Sequence, residues 1–376
     1  MKIAFRTDAS LQIGSGHVMR CLTLADALRE RGANCHFISR EHPGHLADAI
    51  RRRGFTLTAL PAVSTPPHSN PPGGIAPTLQ LEHAAWLGCV WQTDADQTIP
   101  ILATMQPDWL IVDHYALDQQ WEKVLKPYYK KLIVIDDLAD RSHSCDLLLD
   151  QNLGRQPQDY ANLIPTHCKL LTGTGYALLR PEFAVLRAYS LQRREQAPKL
   201  KKLLITMGGV DMTNATGQVL EALQNCALPA DCHITVVMGL VAPWLQKVRE
   251  LAAQMPWPTD VLVDVNDMAQ RMADSDLAIG AAGSTSWERC CLGLPTLMVV
   301  LADNQRFIAS GLECAGAAIP LRLLKGDEFG LKLKNAVMHL VNNEIALLAL
   351  SQAAANVTSG CGTDLVVAQM LGNYGL

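Results

Sequence analysis

Lys2-Ile3-Ala4-Phe5-Arg6 opens the reading that decides the fold, together with the loop Gln12-Ile13-Gly14-Ser15-Gly16-His17 and the apolar residues that follow it. The first run is short, apolar and strand-like. Val18, Cys21, Leu22, Ala25 and Leu28 recur at three- and four-residue spacing, and Gly32 stands just past them, so this segment reads as an amphipathic helix with a glycine stop. Residues 34–39 form a second strand, 45–53 a second helix ending at Gly54, and 56–60 a third strand. A β-α-β-α-β order of this kind implies a parallel sheet with helices on its faces.

The rhythm continues outward. A helix is expected over 91–105, broken or kinked at Pro100, and buried strands over 109–112, 132–135, 145–149 and 169–172. The polar run 192–202 reads as a boundary, after which a second series begins. Its strands are 203–207, 234–238, 261–263, 277–279 and 296–301, with helices at 215–223 and 287–292 and a helical tail over 327–356. The expectation is an α/β protein of two Rossmann-like domains, 1–190 and 191–376, with parallel sheets facing a cleft. Residues 61–77, with six prolines and two glycines, read as a flexible surface loop.

Bulk properties narrow the class. Thirty-two basic residues against 36 acidic ones give a net charge of −4, which argues against a nucleic-acid binder. No apolar run reaches the ~18–20 residues that cross a bilayer, and the N-terminal residues read as a strand and not as a signal peptide. A cytoplasmic protein without stable membrane association is expected, and its oligomeric state is left open. The 11 cysteines include no C-x-x-C, so neither a disulfide framework nor a zinc knuckle is indicated.

Ligands of open parallel sheets bind beyond the carboxyl ends of the strands, so the loops there hold the candidate residues. Gly14-Ser15-Gly16-His17 precedes a helix. Its glycines let the backbone approach a ligand, and the helix start disfavours an added positive charge on His17, which suits it to accept a proton. The alternative is a surface histidine at a helix start. Position 19 is Met where a dinucleotide fingerprint needs glycine, which argues against NAD. Asp113-His114-Tyr115 ends a buried strand. Asp136-Asp137 has the look of a metal pair but reads more readily as a strand-end turn. Gly208-Gly209, followed by Val210-Asp211, is either a phosphate cradle or a tight structural turn. Gly280-Ala281-Ala282-Gly283-Ser284-Thr285-Ser286-Trp287-Glu288 offers amides and hydroxyls for a diphosphate and a carboxylate for a ribose diol. Asp303-Asn304-Gln305 ends the next strand.

Taken in order, these motifs resemble nucleotide-sugar enzymes of the GT-B fold. Gly280 to Gln305 looks like the donor-binding region of the N-acetylglucosaminyltransferase that makes lipid II. Phe5-Arg6-Thr7-Asp8-Ala9-Ser10 through His17, with Asp113-His114-Tyr115, Gly175-Tyr176-Ala177-Leu178-Leu179-Arg180 and Met207-Gly208-Gly209-Val210-Asp211, is similar to one family in particular. That family is the UDP-sugar hydrolases of pseudaminic acid biosynthesis, which act on UDP-2,4-diacetamido-2,4,6-trideoxy-β-L-altropyranose. The resemblance covers most of residues 1–310 and is weak over 61–100 and in the tail. It implies loss of UDP from the anomeric carbon to water, without metal or cofactor. By the same resemblance His17 is the base, Tyr115 and Asn304 line the sugar site, and Gly16 is among the substrate-binding residues. Glu288 holds the uridine ribose, while Ser284, Thr285, Gly208 and Gly209 hold the diphosphate. The runner-up is a GT-B glycosyltransferase with a hydroxyl acceptor. A third reading is a nucleotide-binding module without chemistry.

Overall fold

A computed structural model describes residues 1–62, 81–322 and 328–372. Most of the proline-rich stretch, 63–77, lies outside the described residues, as does Asp327 at the start of the expected tail helix. The chain divides into two compact units. The first comprises 1–151, 155–176 and the residues from Asp364 onward; the second comprises 152–154 and 177–363.

The N-terminal unit contains β1 (Lys2–Thr7), α1 (Gly16–Glu30), β2 (Asn34–Arg40), α2 (Ala47–Arg52), β3 (Thr56–Leu60), α3 (Trp91–Met105), β4 (Trp109–Asp113), α4 (Gln119–Leu125), β5 (Lys131–Ile135), β6 (Leu147–Asp150) and β7 (Lys169–Thr172). Its sheet is parallel, in the order β3-β2-β1-β4-β5-β6-β7. Ile3, Ala4 and Phe5 of β1, and Leu110, Ile111 and Val112 of β4, are buried in succession. Both faces are therefore covered, which is why these strands read as unbroken apolar runs and not as alternation. Phe5 stacks on Phe37 of β2 with centroids 4.7 Å apart. Helix α3 runs through Pro100 without a break.

The second unit contains α5 (Pro181–Gln196), β8 (Lys202–Thr206), α6 (Ala215–Leu223), β9 (His233–Met238), α7 (Leu245–Ala252), β10 (Thr259–Val263), α8 (Met268–Asp274), β11 (Leu277–Ala281), α9 (Thr285–Cys291), β12 (Thr296–Val300), α10 (Arg306–Cys314), β13 (Ile319–Arg322), α11 (Glu328–Val341) and α12 (Glu344–Ala355). Its parallel sheet has the order β10-β9-β8-β11-β12-β13. A last helix, α13 (Gly362–Leu371), follows.

The units part elsewhere than at residue 190. The polar run expected as a boundary begins inside α5, which belongs to the second unit. Its arginines hold it there. Arg194 Nη2 donates to the carbonyls of Met272 and Ser275, 2.8 Å each, and Arg193 Nη1 pairs with Asp276 at 2.7 Å. Cationic side chains are well suited to the unsatisfied carbonyls at the end of α8. The expected helical tail consists of two helices, parted at Asn342-Asn343, where the Asn343 side chain accepts from the Ala346 amide at 2.9 Å and caps α12. Most of α13 returns to the N-terminal unit, with Asp364 on Arg31 at 2.9 Å and Val366 and Val367 fully buried.

Each sheet has a switch point, where strand order reverses: between β1 and β4 in the first unit, and between β8 and β11 in the second. Ligand sites of open α/β sheets lie at the carboxyl side of such points. In the register, Thr7 lies beside Asp113 in the first sheet, and Thr206 beside Gly280 in the second.

Candidate active site

In the N-terminal unit the loop after β1 is folded on itself. Ser10 Oγ accepts the amides of Gln12 and Ile13, at 3.1 and 2.9 Å, and the Gly14 amide donates to the Ser10 carbonyl at 2.9 Å. Gly14, at φ +80°, supplies the left-handed turn, and Gly16 is the first residue of α1. His17 is thereby carried to the β1–β4 switch point, buried to 8% exposure.

Its Nδ1 lies 2.6 Å from Asp113 Oδ1 at the end of β4. A carboxylate only accepts, so Nδ1 carries the proton and Nε2 is the ring nitrogen with a lone pair. Arg20, one turn along α1, grips the same carboxylate with both arms: Nε on Oδ2 at 2.6 Å and Nη2 on Oδ1 at 2.7 Å. Burial pushes the Asp113 carboxyl up. The charges of Arg20 and His17 outweigh it and hold the group well below the usual carboxylate range. Arg20 Nη1 reaches Asp137 at 2.7 Å, and the Tyr115 hydroxyl donates to the same Asp137 oxygen at 2.6 Å. Burial and the charge of Asp137 keep that hydroxyl protonated, far above the usual phenol range. The Tyr115 ring stands edge-on to His17, with centroids 4.6 Å apart.

The structure separates the three residues of Asp113-His114-Tyr115. Asp113 orients His17 and Tyr115 abuts it. His114 turns into the protein, accepting from the Ala116 amide through Nδ1 at 3.1 Å and placing Nε2 3.2 Å from Asp8. Asp8 belongs to a buried lattice beneath the site, in which Arg6 bridges Asp8 and Asp94 at 2.6 Å each and Arg40 joins Asp94 at 2.7 Å. Breaking such a pair by removing one partner typically costs ~3–5 kcal/mol, so the lattice fixes the end of β1.

Asp136 and Asp137 also part company. Asp136 accepts the amides of Leu138 and Ala139 and the Tyr160 hydroxyl, and pairs with Arg141 at 2.9 Å. It is the strand-end turn that the sequence suggested. Asp137, read in the sequence only as part of that pair, instead joins the His17 cluster through Arg20 and Tyr115. No cluster of three or more His, Cys, Asp or Glu that could hold a metal ion occurs among the described residues.

In the second unit, Gly208 and Gly209 follow β8, Ser284, Thr285 and Glu288 follow β11, and Asn304 follows β12, so all six lie at the carboxyl ends of three neighbouring parallel strands. Gly208 has φ +86°. A Cβ added at Gly239 would meet the Gly209 carbonyl oxygen at 2.0 Å, which packs the loops after β8 and β9 backbone against backbone. The amides of Ala215 and Thr216 at the start of α6 are taken by the Asp211 carboxylate, at 2.8 and 2.9 Å. Those donors are therefore already capped, and only the glycine turn itself keeps the character of a cradle. Ser284 does not cap α9 with its side chain, and Thr285 Oγ1 accepts from Arg289 at 3.3 Å. Glu288 is half-buried, 4.0 Å from Arg180. Burial raises its carboxyl above the usual range, with Arg180 opposing.

Arg20 was legible in principle: it stands three residues after His17, on the same helical face. Trp86 and His83, whose rings also meet Tyr115, gave no periodic signal.

No family model matches the chain. It is 26% identical over 316 residues, 84% of the chain and 97% of the relative, to UDP-2,4-diacetamido-2,4,6-trideoxy-beta-L-altropyranose hydrolase of Campylobacter jejuni. It is 25% identical to an uncharacterized protein of Methanocaldococcus jannaschii over 81% of the chain, and spans only 57% of that protein's length. Among solved structures, MurG of Acinetobacter baumannii matches with a TM-score of 0.66 at 16% identity, covering 99% of each chain. The chain thus has the GT-B fold, and its sequence bears out the resemblance to the UDP-sugar hydrolase of Campylobacter jejuni.

Proposed function

We propose that the chain processes a nucleotide-sugar, as a hydrolase that releases UDP from a UDP-2,4-diacetamido-2,4,6-trideoxyhexose in pseudaminic acid biosynthesis, in the cytoplasm and without a metal. The observation that carries this reading is the pairing of His17 with Asp113. A histidine whose Nδ1–H is held by a buried carboxylate presents Nε2 as a general base, and Arg20 balances the carboxylate's charge. The likeness to the Campylobacter jejuni hydrolase supports the substrate.

In this reading Nε2 takes a proton from water as the water oxygen bonds to the anomeric carbon. The bond from that carbon to the diphosphate oxygen breaks, and UDP leaves with the electron pair. UDP is a good leaving group, so a base suffices without a strong acid, and a positioned base contributes ~10²–10⁴-fold. Backbone of the Gly208–Gly209 turn and the hydroxyls of Ser284 and Thr285 meet the diphosphate, where preorganised donors stabilise the growing charge. Glu288 accepts from the ribose hydroxyls. Gly16 and Asn304 meet the sugar, and Tyr115, its hydroxyl committed to Asp137, reaches it only with the small exposed part of its ring.

The test is UDP release from a panel of UDP-sugars, with and without added hydroxyl acceptors. Release in water alone, greatest for the diacetamido-trideoxy sugar, is the expected result. Turnover only with an acceptor would make the chain a transferase.

A further inference from the structure

The rings beside His17 extend beyond Tyr115. Trp86 lies nearly parallel to Tyr115, with centroids 5.6 Å apart and planes at 23°. His83 leans on both, 4.5 Å from Trp86 and 5.5 Å from Tyr115. Trp86 and His17 are edge to face at 6.4 Å. Trp86 and His83 are only half-buried, whereas Tyr115 behind them is buried. Burial lowers the His83 pKa below that of an ordinary histidine, so near pH 7 its ring adds a flat aromatic face and no charge.

The short turn that carries them, Ala84–Leu87, is pinned at its end. Leu87 is buried in the core of the N-terminal unit. Gly88 has φ +73°, and a Cβ there would meet His42 Cε1 at 2.7 Å. The wall is therefore held rigidly next to the base, with part of its ring surface open.

We propose that Trp86 and His83 form a specificity wall that receives the methyl-bearing edge of the sugar. The inference rests on the UDP-sugar reading above and deepens it. A 2,4-diacetamido-2,4,6-trideoxyhexose carries three methyl groups, one at C6 and one on each acetamido arm. Aromatic faces bury methyl groups with gain. A hexose with a hydroxyl at C6 or C4 would lose part of that group's hydration against aromatic ring faces, which pair with a hydroxyl poorly. Apolar walls reject an added hydroxyl by at most about 100-fold, so Trp86 acts as a selective contact and is not a catalytic residue.

The test separates sugar contact from turnover. In a His17→Gln background, which retains a side chain beside Tyr115 without a base, the dissociation constants of UDP and of UDP-2,4-diacetamido-2,4,6-trideoxyaltrose are measured by calorimetry. They are then measured again with Trp86→Ala or Trp86→Phe added. The expected result is unchanged UDP affinity throughout. The UDP-sugar should weaken at least about tenfold in the alanine variant and recover most of that in the phenylalanine variant. UDP-sugar affinity independent of Trp86 overturns the wall, and so does a parallel weakening of UDP and UDP-sugar. Hydrolysis by the wild-type protein is scored separately. Its failure would remove the hydrolase reading, while the binding series alone decides the wall.

Discussion

His17 Nδ1 and Asp113 Oδ1 meet at 2.6 Å, although the two residues stand 96 positions apart in the chain. The contact fixes which nitrogen of the imidazole can accept a proton. His17→Ala should abolish hydrolysis and leave UDP affinity nearly intact. Asp113→Asn keeps the shape but offers an amide that can hold the wrong tautomer, and should lower kcat by ~10²–10⁴-fold. Steady-state kinetics beside calorimetry with UDP decide both, and wild-type turnover in either variant would remove the assigned role.

Glu288→Ala should weaken UDP binding by roughly 1.5–3 kcal/mol, the range for hydrogen bonds to a charged group. The carboxyl has a raised pKa, so it takes up its proton at a higher pH than an ordinary glutamate does. UDP affinity should therefore be full above that pH and decline as pH falls through it, earlier than an unshifted carboxyl would produce. Glu288→Gln should remove this component of the pH profile. Calorimetry across the acidic range measures it, and identical profiles for the two proteins would rule out the contact.

Activity should survive chelators. The only paired aspartates in the sequence reading are engaged elsewhere, Asp136 by Tyr160, Arg141 and two backbone amides, and Asp137 by Arg20 and Tyr115. Assay in EDTA, with Mg²⁺ or Mn²⁺ added back, checks it. Activity lost in EDTA and restored by the metal would overturn the expectation.

Much of the fold was legible because both sheets are buried on two faces. Apolar runs such as 109–112 and 132–135 can then be read one strand at a time. The break within the tail, the boundary and the return of α13 were not. The first two depend on side-chain contacts, Asn343 capping α12 and Arg194 on the end of α8, and the third on the Arg31–Asp364 pair and the burial of Val366 and Val367, none of which periodicity encodes. The site was half legible. Glycines before His17 and a strand ending in Asp113 mark it locally. Its union with Asp137, and the ring stack of Trp86 on Tyr115, join residues from separate loops, and no spacing rule relates them.

Hydrolysis should break the bond between the anomeric carbon and oxygen, with inversion. The base proposed here aims water at carbon, and the described residues include no group of three or more His, Cys, Asp or Glu side chains of the sort that holds metal ions for attack on phosphorus. In ¹⁸O-water the label should enter the sugar and be absent from UDP. The sugar must be analysed before its anomeric oxygen exchanges with solvent. Label in the UDP phosphate would sink the mechanism while leaving the substrate class standing.

Helix α13 bears on how the protein is made. Domains commonly fold in the order in which they leave the ribosome. Here Asp364, Val366 and Val367 complete the unit that is begun first, after the whole of 177–363 has been synthesised. The second unit can close its sheet while the first still exposes the apolar surface that α13 will cover. During that interval the nascent N-terminal unit is the aggregation-prone part, so a chain stalled before residue 364 should depend more on chaperones than the finished one does.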